Sequence, residues 1–241
     1  MESATQPYLS VVIPMYREGN RIAETIYAIR RFLDARAITH ELILVDDGSD
    51  APTRHAAEQF SPFIHLTERR PNRGKGYAVR QGMLIARGQY LLFSDADLAV
   101  PIETISDFLK RIADRDIIIA SRFLPNARVQ GLTVNRRFLG RAFNAAAAVL
   151  VGMNGIKDTQ CGFKLFLRAA ANIVFSRQTV SGFGFDVELL VIARKHGLRV
   201  QEIPVVWTAG PQSSLRIFRD STAMCRELLS VRRNLNRGQY T

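Results

Sequence analysis

Cysteine is nearly absent from this chain of 241 residues: the two present, Cys161 and Cys225, lie in unlike contexts and form no CxxC pair, and the four histidines are scattered. A disulfide framework and a cysteine–histidine metal cluster are thereby excluded, and both thiols are expected to be free in a reducing compartment. Long apolar runs are missing as well. The longest weakly apolar stretch, Ala142 to Met153, contains Asn144 and Gly152 and falls short of the roughly 20 residues that span a bilayer. The first residues, Met1 to Pro7, hold an acid and several polar side chains where an export signal would carry a basic start and an apolar run. A protein that is not exported, and that meets a membrane only from the side, is the expectation. Repeats, low-complexity tracts and long linkers are also lacking. The content of 47% hydrophobic and 23% charged residues is that of an ordinary soluble domain with one substantial core.

Acidic residues are the most informative absence. From Ile117 to Lys157 there is no Asp or Glu, while Arg122, Arg128, Arg136, Arg137, Arg141 and Lys157 are all cationic. Across the whole chain 33 Lys and Arg face 22 Asp and Glu, a net charge of +11, and 28 of those cations are arginine. A solvated basic face normally carries interspersed acids. A run without any favours an anion instead, since arginine forks hold phosphate bidentately. Arg137 and Arg141 are four residues apart on an expected helix and share a face.

What is present reads as an α/β chain. Leu9–Pro14, Glu41–Asp46, Gln89–Ser94 and Asp116–Ala120 are short β-branched runs, with a shorter one at Phe63–Leu66. Between them, Ile22, Ile26, Ile29 and Leu33, and then Val79, Met83 and Ala86, recur at helical spacing. The alternation predicts a mostly parallel sheet with crossover helices. Further helices are expected near Val134–Gly152 and Phe185–His196, and strands at Gly162–Phe166 and Val200–Trp207. An amphipathic, cation-rich stretch follows from Ser214 to Leu235. Residues 1–210 are expected to form the catalytic domain, and residues 211–241 a basic helix belonging to it.

In open parallel sheets ligands bind beyond the carboxyl ends of the strands, which directs attention to three segments. Asp95-Ala-Asp97 can converge on one hard cation that itself holds a diphosphate, although Asp is also common in turns. Asp46-Asp-Gly-Ser49 could accept hydrogen bonds from a nucleobase or ribose, or simply cap a helix through Ser49 or Asp50. Asn72-Arg-Gly-Lys-Gly76 opens a helix with backbone N–H groups and a lysine able to approach phosphate. It is not a Walker A loop.

Taken together, Ser10-Val-Val-Ile-Pro-Met-Tyr-Arg-Glu18, Val45-Asp-Asp-Gly-Ser49, Asn72-Arg-Gly-Lys-Gly76 and Asp95-Ala-Asp97 resemble the inverting family 2 glycosyltransferases of GT-A fold. Ala120-Ser-Arg122, Asp158-Thr-Gln-Cys-Gly-Phe-Lys164 and Phe185-Asp-Val-Glu-Leu-Leu190 narrow the resemblance to the polyprenyl-phosphate sugar synthases, and within them to the dolichyl-phosphate β-glucosyltransferase type more than the mannose type. The resemblance implies a GT-A sheet, mostly parallel with helices on both faces. It implies a nucleotide sugar, UDP-glucose in the first instance and GDP-mannose in the alternative, held by Pro14, Tyr16, Glu18, Asp46, Asp47 and Lys75. It further implies Mg²⁺ or Mn²⁺ on Asp95 and Asp97, and a polyprenyl phosphate whose phosphate meets Arg122 and Arg136, with Arg137 and Arg141 as neighbours. Two positions depart from the pattern. Ala99 stands where mannose enzymes often place a glutamine ligand, and Arg17 stands where asparagine is usual before Glu18.

A lipid monophosphate has a second pKa of about 6 and is already a nucleophile at neutral pH, so electrostatics and positioning are expected to outweigh acid–base chemistry. Asp186 and Glu188 could touch sugar hydroxyls or merely favour a helix N-terminus. Cys161 is expected to be a packed residue. Peripheral contact with the cytoplasmic membrane face is expected through the C-terminal arginines Arg216, Arg219, Arg226, Arg232 and Arg233, and Phe143–Met153 reads either as a second membrane contact or as core packing. Two other functions compete. Sugar-1-phosphate nucleotidyl transfer would need a glycine-rich start that is lacking. A nucleic-acid module would need aromatics among its cations, so no nucleic-acid partner is expected.

Overall fold

The expected strands do assemble into one layer. In chain order they are β1 (Leu9–Met15), β2 (His40–Asp46), β3 (Ile64–Leu66), β4 (Tyr90–Ser94), β5 (Ile117–Ser121), β6 (Arg128–Gln130), β7 (Phe163–Leu167), β8 (Val200–Pro204) and β9 (Val206–Thr208). The structure, a computed structural model, describes residues 6–19, 21–66, 71–210 and 217–241. Seven strands form the main sheet in the order β3-β2-β1-β4-β7-β5-β8, and β6 pairs with β9 in a small second sheet. All neighbours in the main sheet are parallel except β7, which runs antiparallel to both β4 and β5.

Side-chain alternation along the strands sorts two cores. Leu9, Val11, Ile13 and Met15 of β1 join Leu42 and Leu44 of β2 on one face, while Val12, Ile43 and Val45 turn to the other. The first face is covered by α1 (Arg21–Asp34), α2 (Ala51–Glu58) and α4 (Ile105–Arg111). The second is covered by α3 (Lys75–Ile85), α6 (Arg168–Arg177) and α7 (Phe185–Lys195). The helices α5 (Val134–Val151) and α8 (Ile217–Asn236) pack on one another, and α8 also contacts α7. The apolar stripe of α1, Ile22, Ile26, Ile29, Phe32 and Leu33, is buried. At about 1.5–3 kcal/mol per side chain, packing rather than intrinsic propensity fixes that helix. Asp50 caps α2 by accepting the Thr53 N–H at 3.2 Å, and Gly152 ends α5 at a φ of 74°.

One expectation is corrected and one open choice is decided. The single strand expected over Val200–Trp207 is two strands, β8 in the main sheet and β9 in the small one. Pro204, without an N–H to extend the ladder, marks the crossing. Of the two readings of Phe143–Met153, core packing largely holds over membrane contact: Phe143, Ala147, Val151 and Met153 are buried. The apolar surface of α5 is a different face, carried by Val134, Phe138 and Val149, which are 82%, 75% and 82% exposed. A helical stripe seen only as apolar does not reveal which side the fold covers. Among the described residues no helix is long and apolar enough to cross a membrane. Arg216, and the side chain of Arg219, lie outside the described residues.

Candidate active site

The antiparallel β7 determines what meets at the carboxyl edge of the sheet. Its first residue, Phe163, pairs with Ser94 at the end of β4, so Cys161 and Gly162 arrive beside the segment that follows β4. Asp95 donates its N–H to the Gly162 carbonyl at 3.0 Å. A Cβ at Gly162 would collide with the Asp95 carboxylate, so only glycine lets the two segments lie this close. From one face of the sheet, the Thr25 hydroxyl of α1 donates to the Ala96 carbonyl at 2.6 Å. The Asp97 carboxylate accepts the Ala99 N–H at 3.1 Å. The aspartate turn is thus fixed by the neighbouring strand β7 and by α1 on one face of the sheet.

Lys75, the first residue of α3, lies 2.6 Å from Asp95. Burial opposes its charge, but Asp95 and Asp186 outweigh that and raise its pKa. Asp186 in turn pairs with Lys164, whose ammonium also donates to the Cys161 carbonyl at 2.8 Å. Both Lys164 and Asp186 are buried. Burial, reinforced by the charge of Asp95, pushes the Asp97 carboxyl above the usual range. Glu18 is likewise raised by burial, although it accepts from Arg21 Nε at 2.9 Å.

The edge therefore holds an acidic pair, Asp95 and Asp97, short of positive charge. Among the described residues no cluster of three or more His, Cys, Asp or Glu completes a metal cage. Two carboxylates without a cage fit Mg²⁺ or Mn²⁺ that takes its other ligands from water and a substrate diphosphate. Ala99, 8% exposed, offers no ligand atom.

The remaining expected nucleotide residues divide. Pro14 and Tyr16 stand at the end of β1, with Tyr16 37% exposed and the Arg17 guanidinium 5.1 Å from its ring centroid. Asp46 and Asp47 end β2, but both are committed within the protein. Asp46 accepts the Ser49 N–H at 2.8 Å and pairs with Arg54 at 2.7 Å. Asp47 accepts the N–H groups of Arg73 and Gly74 at 2.8 and 2.9 Å. Asp47 thereby ties the loop before Lys75 to β2, and any effect it has on a ligand passes through that loop.

Arg122, at the end of β5, is held by Asp158 through Nε and Nη2 at 2.7 and 2.9 Å, and its backbone N–H donates to the same carboxylate at 2.9 Å. Burial alone would raise the Asp158 pKa, but Arg122 overcomes that and holds it below the ordinary value. The guanidinium lies 5.6 and 5.8 Å from the ring centroids of Phe123 and Trp207. Arg136 lines the same cavity as Arg122. Arg137 and Arg141 lie exposed on α5, with Arg141 5.7 Å from the Phe123 ring. Among the described residues no salt bridge joins Arg136, Arg137 or Arg141 to a carboxylate.

These parts open onto one cavity of about 370 Å³. Its charged lining comprises Lys75, Asp95, Asp97, Arg122, Arg136 and Asp186. The rest is mostly apolar, with Leu139, Phe143 and Ala146 of α5, Met224 of α8, and Phe183 and Trp207. Such a space suits a molecule with an anionic head and a hydrocarbon body.

The family model for Glycosyl transferase family 2 matches residues 10–175. The chain belongs to glycosyltransferase family 2. This glycosyltransferase is 37% identical over 230 residues to a dolichyl-phosphate beta-glucosyltransferase of Trichomonas vaginalis, covering 89% of this chain and 68% of that one. It is 35% identical to the dolichyl-phosphate beta-glucosyltransferases of Saccharomyces cerevisiae and of Homo sapiens, covering 93% of this chain and 74% of each relative. Its fold is similar to that of glucosyl-3-phosphoglycerate synthase from Mycobacterium tuberculosis, solved with Mn²⁺, UDP and glucosyl-3-phosphoglycerate. The TM-score is 0.67 at 19% identity, over 93% of this chain and 78% of that one. The GT-A fold and the family expected from the motifs are both borne out.

Sequence reasoning did not foresee the partners that hold the site: Asp158 under Arg122, Lys164 under Asp186, and Trp207 in the cavity wall. Asp158 and Lys164 both lie in the segment that carried the family resemblance, and Lys164 is a charged residue within the apolar strand run Phe163–Leu167. Of the two readings left open for Glu188, the helix N-terminus agrees with its place in the first turn of α7. Glu188 accepts the N–H groups of Thr179 and Val180 at 3.0 and 2.8 Å and the Tyr240 hydroxyl at 2.7 Å.

Two outcomes follow. Because Asp97 sits beside Asp95 with its pKa raised, Asp97→Asn should leave the thermal midpoint unchanged or higher, and should abolish stabilisation by UDP with Mn²⁺ in a melting assay. A lower midpoint with stabilisation retained would contradict this. Asp158→Asn leaves the buried Arg122 charge uncompensated, at a cost of about 3–5 kcal/mol in urea unfolding at neutral pH. Since the folded Asp158 pKa is depressed, its contribution is complete above about pH 4 and is lost as the pH falls through the folded value. The gap between the two proteins should narrow there, and a gap independent of pH would contradict the assignment.

Proposed function

We propose that this glycosyltransferase moves glucose from UDP-glucose, with inversion, onto the phosphate of a polyprenyl lipid at the cytoplasmic face of a membrane. The observation that carries the reading is the single cavity that joins a charged lining to apolar walls. The names of the relatives, dolichyl-phosphate beta-glucosyltransferases, supply the sugar and the acceptor class. In the reaction a phosphate oxygen of the acceptor bonds to the anomeric carbon as the bond from that carbon to the diphosphate oxygen breaks, and UDP departs. A phosphate with a second pKa of about 6 is mostly dianionic at neutral pH and needs no proton removed. That agrees with a cavity whose carboxylates are the aspartate pair and the ion-paired Asp186, and whose described lining includes no histidine.

The protein's part is to hold two anions within bonding distance. Lys75 stands where the donor diphosphate would meet Asp95, and Arg122 and Arg136 stand where the acceptor phosphate would enter. Asp95 and Asp97 would hold Mg²⁺ or Mn²⁺, which supplies charge neutralisation for the departing diphosphate. Arg122 is clamped by Asp158 and gives a fixed charge. Arg136, on the first turn of α5, has no ion pair among the described residues and gives the adaptable one.

A lipid acceptor must stay in its bilayer, so the cavity should open toward a membrane. The helix that lines the cavity, α5, also carries an exposed apolar stripe of Val134, Phe138 and Val149. The exposed Arg137 and Arg141 lie on the same helix, and Arg226, Arg232 and Arg233 are exposed on α8. Apolar side chains with basic neighbours suit an interface rich in anionic lipid.

Incubation of the protein with Mg²⁺ or Mn²⁺, a short polyprenyl phosphate and radiolabelled UDP-glucose or GDP-mannose, followed by organic extraction, tests the reading. Label should enter lipid from UDP-glucose. Label from GDP-mannose alone would overturn the sugar, and UDP release without lipid labelling would overturn the acceptor. Arg136→Ala should raise the KM for polyprenyl phosphate about tenfold, the loss of one charge-assisted contact, with little change in the KM for the nucleotide sugar. Equal effects on both would show the acceptor phosphate to be elsewhere.

A further inference from the structure

The segment from Gln178 to Gly184 crosses between the nucleotide side and the acceptor side of the site. Its first half is anchored to the nucleotide side and to α7. Gln178 Nε2 donates to the Gly76 carbonyl at 2.8 Å, the Tyr77 N–H donates to the Ser181 carbonyl at 3.1 Å, and Glu188 receives the N–H groups of Thr179 and Val180. Its second half, Gly182-Phe183-Gly184, presents Phe183 to the cavity and leads directly into α7, whose second residue is Asp186.

That second half is held from α8. The Glu227 carboxylate accepts the Gly184 N–H at 2.6 Å and also the backbone N–H of Gly182. A Cβ at Gly182 would collide with the Glu227 carboxylate, and one at Gly184 would lie 2.8 Å from the Glu227 Cβ. Both glycines therefore allow the carboxylate to seat against bare backbone. Burial raises the Glu227 pKa. An acid that bears that cost on α8, the helix whose Met224 and Cys225 line the cavity, connects the acceptor wall to the loop opposite it.

We infer that Glu227 is a positioning residue for the acceptor: by holding Gly182 and Gly184 it fixes Phe183 in the cavity wall and sets the width between that loop and α8. Nothing in its geometry touches donor, metal or acceptor phosphate. Gly182 also packs against Gly74 and Gly76 at the start of α3, but that side is anchored independently through Gln178 and Ser181, so losing Glu227 should act more on the acceptor side than on the donor side. The inference rests on the polyprenyl-phosphate reading, and the same assay separates the two.

Glu227→Ala should raise the KM for polyprenyl phosphate about tenfold, within the range expected when a positioning contact is lost, while the KM for UDP-glucose changes less than about twofold. Glu227→Gln keeps one carbonyl acceptor but turns an amide toward the second N–H, so its acceptor KM should fall between those of the wild type and Glu227→Ala. Amide hydrogen exchange at Gly182 and Gly184 should rise in the same order. An unchanged acceptor KM in both variants, or parallel rises for donor and acceptor, would overturn the role of Glu227 while wild-type lipid labelling leaves the function standing. Failure of the wild type to label any polyprenyl phosphate would overturn both. If Glu227→Ala does not fold, Glu227→Gln decides through the same KM ratio.

Discussion

The ion pair between Lys75 and Asp95 is where the segments of the site converge. Asp95 ends β4, Lys75 begins α3, and the lysine's other strong electrostatic neighbour, Asp186, begins α7 and is bound to Lys164 of β7. Alternating charges thus run from the acidic turn to the antiparallel strand. Each is tolerable in the interior because the next is within reach. Without Lys75, Asp95 and Asp97 would repel each other at the edge of a low-dielectric core. With it, the pair is held in place, while burial, and after it the charge of Asp95, still raises the Asp97 pKa.

This balance accounts for the division of labour along the cavity. In the proposed reaction the carboxylates would hold a cation and a diphosphate, and the arginines would meet a second anion. Between Ile117 and Lys157 no acid occurs in the sequence, and Arg136 accordingly has no carboxylate partner among the described residues. Arg122 differs, because Asp158, the first acid after that run, reaches back to clamp it. One guanidinium is thus fixed by the protein, and in the proposed reaction the other would meet the acceptor. Apolar walls from α5 and α8 would lower the local dielectric there, which strengthens each charge.

Much of this was legible in the sequence because it is written locally. The strands of β-branched residues, the helical stripe of α1 and the motifs at the strand ends each lie within a few neighbouring positions. The split of Val200–Trp207 into β8 and β9 was not legible, since it depends on which neighbouring strand captures Val206. The partners Asp46–Arg54, Asp47–Gly74, Arg122–Asp158 and Lys164–Asp186 were not legible either. Most of these pairs are distant in sequence, and it is the sheet order that brings them together. The choice between membrane contact and core packing for Phe143–Met153 was open in the sequence for a similar reason, because burial of Phe143 and Ala147 is set by the packing of α5 and its neighbours.

The central claim is that an anionic lipid occupies the cavity between α5 and α8 with its phosphate at the cavity's arginines. Cys225 lines that cavity and is exposed, whereas Cys161 is buried with its thiol pKa pushed up to about 12 by burial, so alkylation with a maleimide reports on one thiol. A short polyprenyl phosphate should slow alkylation of Cys225, and the matching prenol or inorganic phosphate alone should do so far less. Equal protection by the prenol, or none by the polyprenyl phosphate, would contradict the account.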